Sequence, residues 1–150
     1  MLHHISIGVS DITASGAFYD AILEPLGYVR VFEDLRPGER YQAIGYGSVL
    51  NEDVFTIKER FAPFLHPGPG FHLAFAAPSR NAVSVWHERG MAMGGVNRGD
   101  PREWVEFGSD YYAAYLTDRD GWQIEAVHKE VQEAPTDLSC RLSKIKANDR

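Results

Sequence analysis

Two histidines and one glutamate stand in strand-like segments that are far apart in the sequence. His4 lies in the opening segment HISIGV, His72 is the second residue of FHLAFAA, and Glu125 lies in the apolar segment WQIEAV. A carboxylate inside an apolar strand is expensive to bury unless a cation or hydrogen-bond donors face it. Two imidazoles and one carboxylate suit a divalent metal ion, so these residue types favour a metal site.

Each of these residues also has a simpler interpretation. A single histidine in a strand is more often a hydrogen-bonded core or surface residue than a ligand. Because neighbouring strand residues point to opposite faces, only one of His3 and His4 can face inward. Glu125 taken alone is also compatible with a surface acid on an edge strand. The residues by themselves therefore leave the metal site and the plain structural roles open.

The elements that would position these residues form an internal repeat. A shift of 68 residues superimposes three pairs of similar type: His4 on His72, Phe18 on Trp86 and Gly27 on Gly95. Each half is patterned as a strand, a helix and about three further strands. This predicts an α+β fold in which two βαβββ modules, about residues 1–62 and 70–128, form a cup-shaped mixed sheet. The Pro/Gly-rich segment FLHPGPGF would connect the modules, and residues 129–150 read as a polar tail.

The composition limits the classes of partner. The 150 residues are 44% hydrophobic and 24% charged, which is ordinary for one globular domain. The net charge of −6 argues against nucleic acid and anionic membrane surfaces as partners. No segment has the pattern of a membrane span or a secretory signal. The single cysteine, Cys140, excludes an intramolecular disulfide and a CxxC metal site, so we expect a reducing, cytoplasmic setting.

Three segments resemble the vicinal oxygen chelate superfamily, which includes glyoxalase I, type I extradiol dioxygenases, fosfomycin-resistance enzymes and bleomycin-binding proteins. They are HHISIGVSDITASGAFYDAILEPLGY, FHLAFAA and YLTDRDGWQIEAVH, and they span most of residues 2–128. Members of that superfamily bind metal through a histidine in strand 1, a histidine opening the second module and an acid after the DxDG turn. The resemblance therefore implies that His4, His72 and Glu125 bind Fe, Mn, Zn or Ni.

The sequence departs from the glyoxalase I pattern at one ligand position. The resembling glyoxalases carry a fourth ligand, an acid, on the last strand of module one, where this chain has Thr56 in DVFTIKE. Threonine is a poor metal ligand, so this position would stay open. Lys58 shares the predicted face of Thr56 and suits an anionic substrate. Arg119 replaces the proline of the DPDG turn, which changes only the expected stiffness of that turn.

Three further residues are candidates for the wall of the cup. Ser6 follows His4 on the same strand face, and Tyr111 and Tyr115 share the predicted face of Glu125. A tyrosine beside a metal can donate to a bound oxyanion or exchange a proton with the substrate. Tyrosines in such strands are as often core aromatics with one satisfied hydroxyl, and the sequence leaves both roles open.

The resemblance implies one of two functions. The first is a metal-dependent enzyme that acts on a small oxygen-chelating substrate, by lyase- or isomerase-like chemistry or as a dioxygenase. The alternative is a metal-free protein that binds or sequesters a small molecule, as bleomycin-resistance proteins do. We expect a homodimer in either case, because the modules leave open sheet edges that a symmetric copy can cover. The sequence assigns no catalytic residue beyond the metal ligands.

Overall fold

The computed structural model describes residues 2–39, 41–48, 52–60, 68 and 70–130. The predicted tail beyond residue 130, Cys140 and most of the predicted connector lie outside the described residues. No helix in the described part of the chain is long and apolar enough to cross a membrane.

Each module contains one helix and one four-stranded sheet. The elements of module one are β1 (Ile5–Val9), α1 (Ile12–Leu23), β2 (Val29–Asp34), β3 (Ala43–Gly47) and β4 (Phe55–Glu59), in the strand order β1-β4-β3-β2. Those of module two are β5 (Leu73–Ala76), α2 (Arg80–Ala92), β6 (Val96–Glu103), β7 (Tyr112–Thr117) and β8 (Gln123–His128), in the order β5-β8-β7-β6. The first and last strands of each module pair in parallel, and the other pairs are antiparallel. The predicted α+β fold of two βαβββ modules is confirmed.

The same local signals begin and end both helices. The side chains of Asp11 and Ser79 accept hydrogen bonds from backbone N–H groups in the first turns of α1 and α2. Left-handed glycines, Gly27 with φ 86° and Gly94 with φ 92°, each precede the next strand by two residues. The turn equivalent of Gly27 is therefore Gly94, one residue before the predicted Gly95.

The two helices pack against each other and share one hydrophobic core with the inner faces of both sheets. On β1, Ile7 and Val9 are buried in this core, whereas Ser6 on the opposite face is exposed. This confirms the predicted alternation along the strand. Each helix packs on one face of its own sheet, so each sheet presents its other face outward, and the eight strands are divided over two sheets within the described residues.

The DRDG turn between β7 and β8 fastens module two to module one. Asp118 is buried and accepts a hydrogen bond from the Tyr19 hydroxyl at 2.6 Å, and burial raises the pKa of this carboxyl. Asp120 accepts from the backbone N–H and hydroxyl of Ser10 and from the Ser15 hydroxyl. These contacts hold the start of α1 against the second sheet.

Replacing Asp120 with alanine is expected to loosen this junction. Asp120→Ala removes three hydrogen bonds to a partly buried carboxylate, so the free energy of unfolding should fall by about 1–3 kcal/mol in urea denaturation. The matched control is Asp100→Ala, since Asp100 is exposed and accepts one hydrogen bond from Asn97. That variant should stay within about 0.5 kcal/mol of wild type. Equal losses in the two variants would contradict a junction role for Asp120.

Candidate functional site

The pair formed by His72 and Glu125 lies on the outward face of the second sheet. Glu125 is in the middle of β8, where it is flanked by Ala74 of β5 and Tyr115 of β7 in the strand register. Its side chain is fully buried. His72 directly precedes β5, and its Nε2 lies 2.9 Å from Oε2 of Glu125. Ala74 and Tyr115 thus cover Glu125 from the two neighbouring strands. The carboxylate faces the His72 imidazole.

The hydrogen bonds of Glu125 account for only one of its two oxygens. Oε1 accepts a hydrogen bond from the Tyr111 hydroxyl at 2.6 Å. Oε2 is buried without a hydrogen-bond partner among the described residues, since its close approach to His72 lacks hydrogen-bond geometry. A buried carboxylate oxygen without a donor costs free energy, and a divalent cation shared with the imidazole would remove that cost. One nitrogen and one carboxylate oxygen, adjacent and otherwise unused, thus fit a metal ion.

Two tyrosines surround the Glu125 carboxylate. Burial and the hydrogen bond to Glu125 raise the pKa of Tyr111 to about 12. Burial, followed by the charge of Glu125, raises the pKa of Tyr115 well above its usual value. The Tyr115 ring also contacts the His72 ring edge-on, with 6.2 Å between centroids. Both phenols are therefore neutral at physiological pH and present hydroxyl groups beside the candidate ligands.

A cavity of about 260 Å³ opens on this face beside His72. Its lining includes aromatic, cationic and amide side chains, namely His72, Arg98, Trp104, Phe107, Tyr115 and Gln123. A second cleft of about 300 Å³ lies between β1 and β5, and its walls include Leu2, Ile5, Phe55, Leu73 and again His72. His72 thus stands at the border of two cavities, where a bound molecule can reach it.

The predicted residues of module one lie on the corresponding face of the first sheet. Ser6 and Thr56 are register partners in β1 and β4, and Lys58 is two residues further along β4. Thr56 is buried and donates a hydrogen bond to Asp53 at 2.6 Å. Thr56 pairs with Ser6 as Glu125 pairs with Ala74, and Ala74 is the repeat equivalent of Ser6. Thr56 and Glu125 are therefore structurally equivalent, as the repeat predicts.

His4 is not joined to the His72–Glu125 pair within one chain. Its Nδ1 lies 3.0 Å from Nδ1 of His3, and the two rings meet edge-on. Among the described residues no three histidine, cysteine or acidic side chains are grouped closely enough to hold a metal ion. One chain thus brings together His72, Glu125, Tyr111 and Tyr115, and it leaves the predicted residues of module one on a different sheet.

Comparison with known proteins identifies the fold and the family. The chain is 31% identical to a glyoxalase/bleomycin resistance protein from Albidiferax ferrireducens T118, with a TM-score of 0.67 over 84% of this chain and 97% of that structure. The chain belongs to the glyoxalase/bleomycin resistance protein family. This family is part of the vicinal oxygen chelate superfamily, so the predicted resemblance is confirmed.

Two further proteins are similar to this chain, one in sequence and one in fold. The uncharacterized protein YqjT of Bacillus subtilis (strain 168) is 31% identical in an alignment of 134 residues, and the match covers 84% of this chain and 97% of the relative. A mutant of the fosfomycin resistance protein FosX from Listeria monocytogenes, in complex with Mn(II) and 1S,2S-dihydroxypropylphosphonic acid, is 20% identical. That structure covers 97% of both chains with a TM-score of 0.62, which shows a shared glyoxalase/bleomycin resistance fold. A search of protein-family models gives no match.

Sequence reasoning missed two polar residues that the structure places beside the predicted ones. Asp53 accepts the Thr56 hydrogen bond, and Arg98 lines the cavity next to His72. No sequence signal marks Arg98 itself, because the neighbouring Gly99 indicates only that another group approaches the strand closely. A Cβ at Gly99 would lie 2.7 Å from Cζ2 of Trp104, so the ring crosses the sheet at this point. No comparable signal marks Asp53, which lies outside the strands.

Proposed function

We propose that this protein is a metal-dependent enzyme that binds a small substrate through two neighbouring oxygens. The observation that carries the proposal is the buried Oε2 of Glu125, which faces His72 at 2.9 Å without a hydrogen bond. A carboxylate would not be retained in such a place for stability, since an apolar side chain of similar volume avoids its desolvation cost. A ligand role explains both its burial and its missing donor.

The third ligand in this proposal is His4 of the partner subunit in a homodimer. Within the described residues of one chain no three candidate ligands are grouped, and the candidate residues of module one lie on a different sheet from the His72–Glu125 pair. The edge strand β5 and its exposed residues Ala74 and Ala76 leave the second sheet open to a neighbour. A symmetric partner that places its own first sheet there would complete two equivalent sites.

The residues of this chain would have distinct roles around the substrate. His72 and Glu125, with His4 of the partner subunit, would hold the metal ion, which would supply Lewis-acid stabilisation of negative charge on the substrate. Tyr111 holds one carboxylate oxygen of Glu125, so the other oxygen keeps a fixed direction toward His72. Tyr115 carries a neutral hydroxyl beside Glu125 and can donate a hydrogen bond to a substrate oxyanion. The aromatic cavity walls exclude water from the bound molecule.

The competing function is metal-free binding of a small molecule, as in a drug-sequestering protein. The mainly apolar cavity beside His72 favours it, because such a cavity can hold a ligand without metal. The two functions differ in what they require of Glu125. Only the enzyme needs this carboxylate as a ligand.

Glu125→Gln is expected to weaken Mn(II) binding by more than about 100-fold, since loss of even a supporting group around a metal costs ten- to hundredfold. In chelator the same variant should melt at the wild-type temperature or above it, because the buried orphan charge is gone. Metal affinity is measured by Mn(II) titration, and metal content by mass spectrometry after reconstitution.

The matched control is Glu103→Gln, which removes an exposed carboxylate that pairs with Arg80. It should keep wild-type Mn(II) affinity. Wild-type protein that binds no Mn, Fe, Zn, Ni or Co after reconstitution would overturn the enzyme proposal and leave the sequestering function. A lower melting temperature of Glu125→Gln in chelator, with metal affinity unchanged, would show that Glu125 is structural.

A further inference from the structure

The cavity beside His72 has flat aromatic walls. The Trp104 and Tyr115 rings meet edge-on with 4.9 Å between centroids, and Phe107 stacks near Trp104 at 6.2 Å with an interplanar angle of 21°. Its volume is about 260 Å³. A cavity of roughly 150 Å³ is enough for benzene, so this one has room for a single ring with short substituents.

Trp104 is fixed in place from several sides. Its indole N–H donates to the Ala113 carbonyl at 2.9 Å, and the missing side chain of Gly99 lets the ring lie against β6. The Arg102 guanidinium stacks 3.5 Å from the centre of the ring, and Arg102 is itself paired with Glu106. The wall is therefore preorganised, which lowers the entropic cost of binding a planar ligand.

Arg98 gives the cavity a positive charge that no carboxylate neutralises among the described residues. Its Nε donates to the Thr117 hydroxyl at 2.8 Å, which holds the side chain against β7. Both Nη atoms remain without a partner in the described part of the chain. A planar guanidinium with two open N–H groups matches a carboxylate, which it can bind through two parallel hydrogen bonds.

The strand register sets the distance between this charge and the candidate ligands. Thr117 lies two residues along β7 from Tyr115, and Tyr115 is directly opposite Glu125. Two residues of a strand span about 7 Å, so Thr117, which anchors the Arg98 head, lies about that far along the sheet from the Glu125 row. A ligand that contacts both Arg98 and the His72–Glu125 pair therefore needs its carboxylate and its pair of oxygens on different sides of its ring.

We propose that this cavity selects single-ring carboxylates, with the carboxylate on Arg98 and the ring against the wall formed by Trp104, Phe107 and Tyr115. The substrate class is then an aromatic acid whose two neighbouring oxygens lie at the end of the ring opposite to the carboxylate. The placement of those oxygens rests on the function proposed above. The recognition of the ring and its carboxylate does not depend on metal.

The first experiment measures the carboxylate preference without metal. In chelator, benzoate should bind wild-type protein at least about tenfold more tightly than benzamide, by calorimetry or tryptophan fluorescence. Arg98→Gln should abolish this preference, whereas Arg80→Gln should keep it, because Arg80 pairs with Glu103 outside the cavity. Equal binding of benzoate and benzamide to wild-type protein, or a preference that survives in Arg98→Gln, would overturn the proposal.

The second experiment is carried out with Mn(II) present. It tests the separation along the sheet between Thr117, which anchors Arg98, and the Glu125 row. Of two isomers with the same groups, 3,4-dihydroxybenzoate should bind wild-type protein at least about tenfold more tightly than 2,3-dihydroxybenzoate, whose carboxylate adjoins the hydroxyls. Arg98→Gln should bind both isomers equally. Equal binding of the isomers to wild-type protein that does bind Mn(II) would overturn the substrate class alone. Absence of Mn(II) binding with an intact benzoate preference would instead overturn the metal-dependent function alone.

Discussion

Heterodimers of a His4→Ala subunit and a His72→Ala subunit are expected to bind one divalent ion, although both homodimers bind Mn(II) at least about 100-fold more weakly than wild type. If each site takes His4 from one subunit and His72 with Glu125 from the other, one site of the heterodimer lacks both histidines. The second site then contains no substitution at all. A site built within one chain would be damaged in both subunits, so the heterodimer would bind no ion.

The heterodimer can be isolated with a different affinity tag on each subunit, and its metal content is then counted by mass spectrometry. The control is the His87→Ala homodimer, which should bind two ions because His87 contacts Asn97 away from the cavity. A metal-free heterodimer would contradict the shared site. Wild-type affinity in the His4→Ala homodimer would exclude His4 as a ligand, and a monomer in sedimentation at micromolar concentration would exclude the dimer itself.

The fold and the grouping of side chains around Glu125 were predictable from the sequence because they depend on local pattern. Strand alternation places Ile7 in the core and Ser6 outside, and the repeat makes Thr56 the equivalent of Glu125. The same alternation predicts that Tyr111 and Tyr115 share a face with Glu125, and the structure brings these residues together. The two-residue period of a strand and the strand register determine which residues share a face and which positions of the two modules are equivalent. These relations can be read before any tertiary contact is known.

The sequence could not show which sheets meet, because that depends on how the helices pack. The family resemblance implies that His4 and His72 share one site, yet within one chain the described residues hold no group of three candidate ligands. The anchoring of Arg98 by Thr117 depends on the pairing of β6 with β7, where the register shifts on both sides of Gly99. A bulge moves side chains relative to their neighbours in a way that a simple alternating pattern does not reveal.

Thr56→Glu is expected to tighten Mn(II) binding at least about tenfold, because it adds a charged oxygen ligand at the position equivalent to Glu125. In chelator the same variant should be less stable than wild type. The side chain at position 56 is buried against Asp53, so a second carboxylate there meets a like charge and loses its water. Metal should therefore raise the melting temperature of this variant more than that of wild type.

Thr56→Gln is the matched control, since glutamine has nearly the size of glutamate and also removes the hydrogen bond to Asp53. Differences between the two variants therefore isolate the charge and its ligand role. The glutamine variant should lose stability from crowding in buried surroundings, and its Mn(II) affinity should not rise. Equal Mn(II) affinities of the two variants would show that the side chain at position 56 lies away from the metal. Tighter binding by Thr56→Glu would instead show that the first sheet of one subunit faces the His72–Glu125 pair of the assembled site.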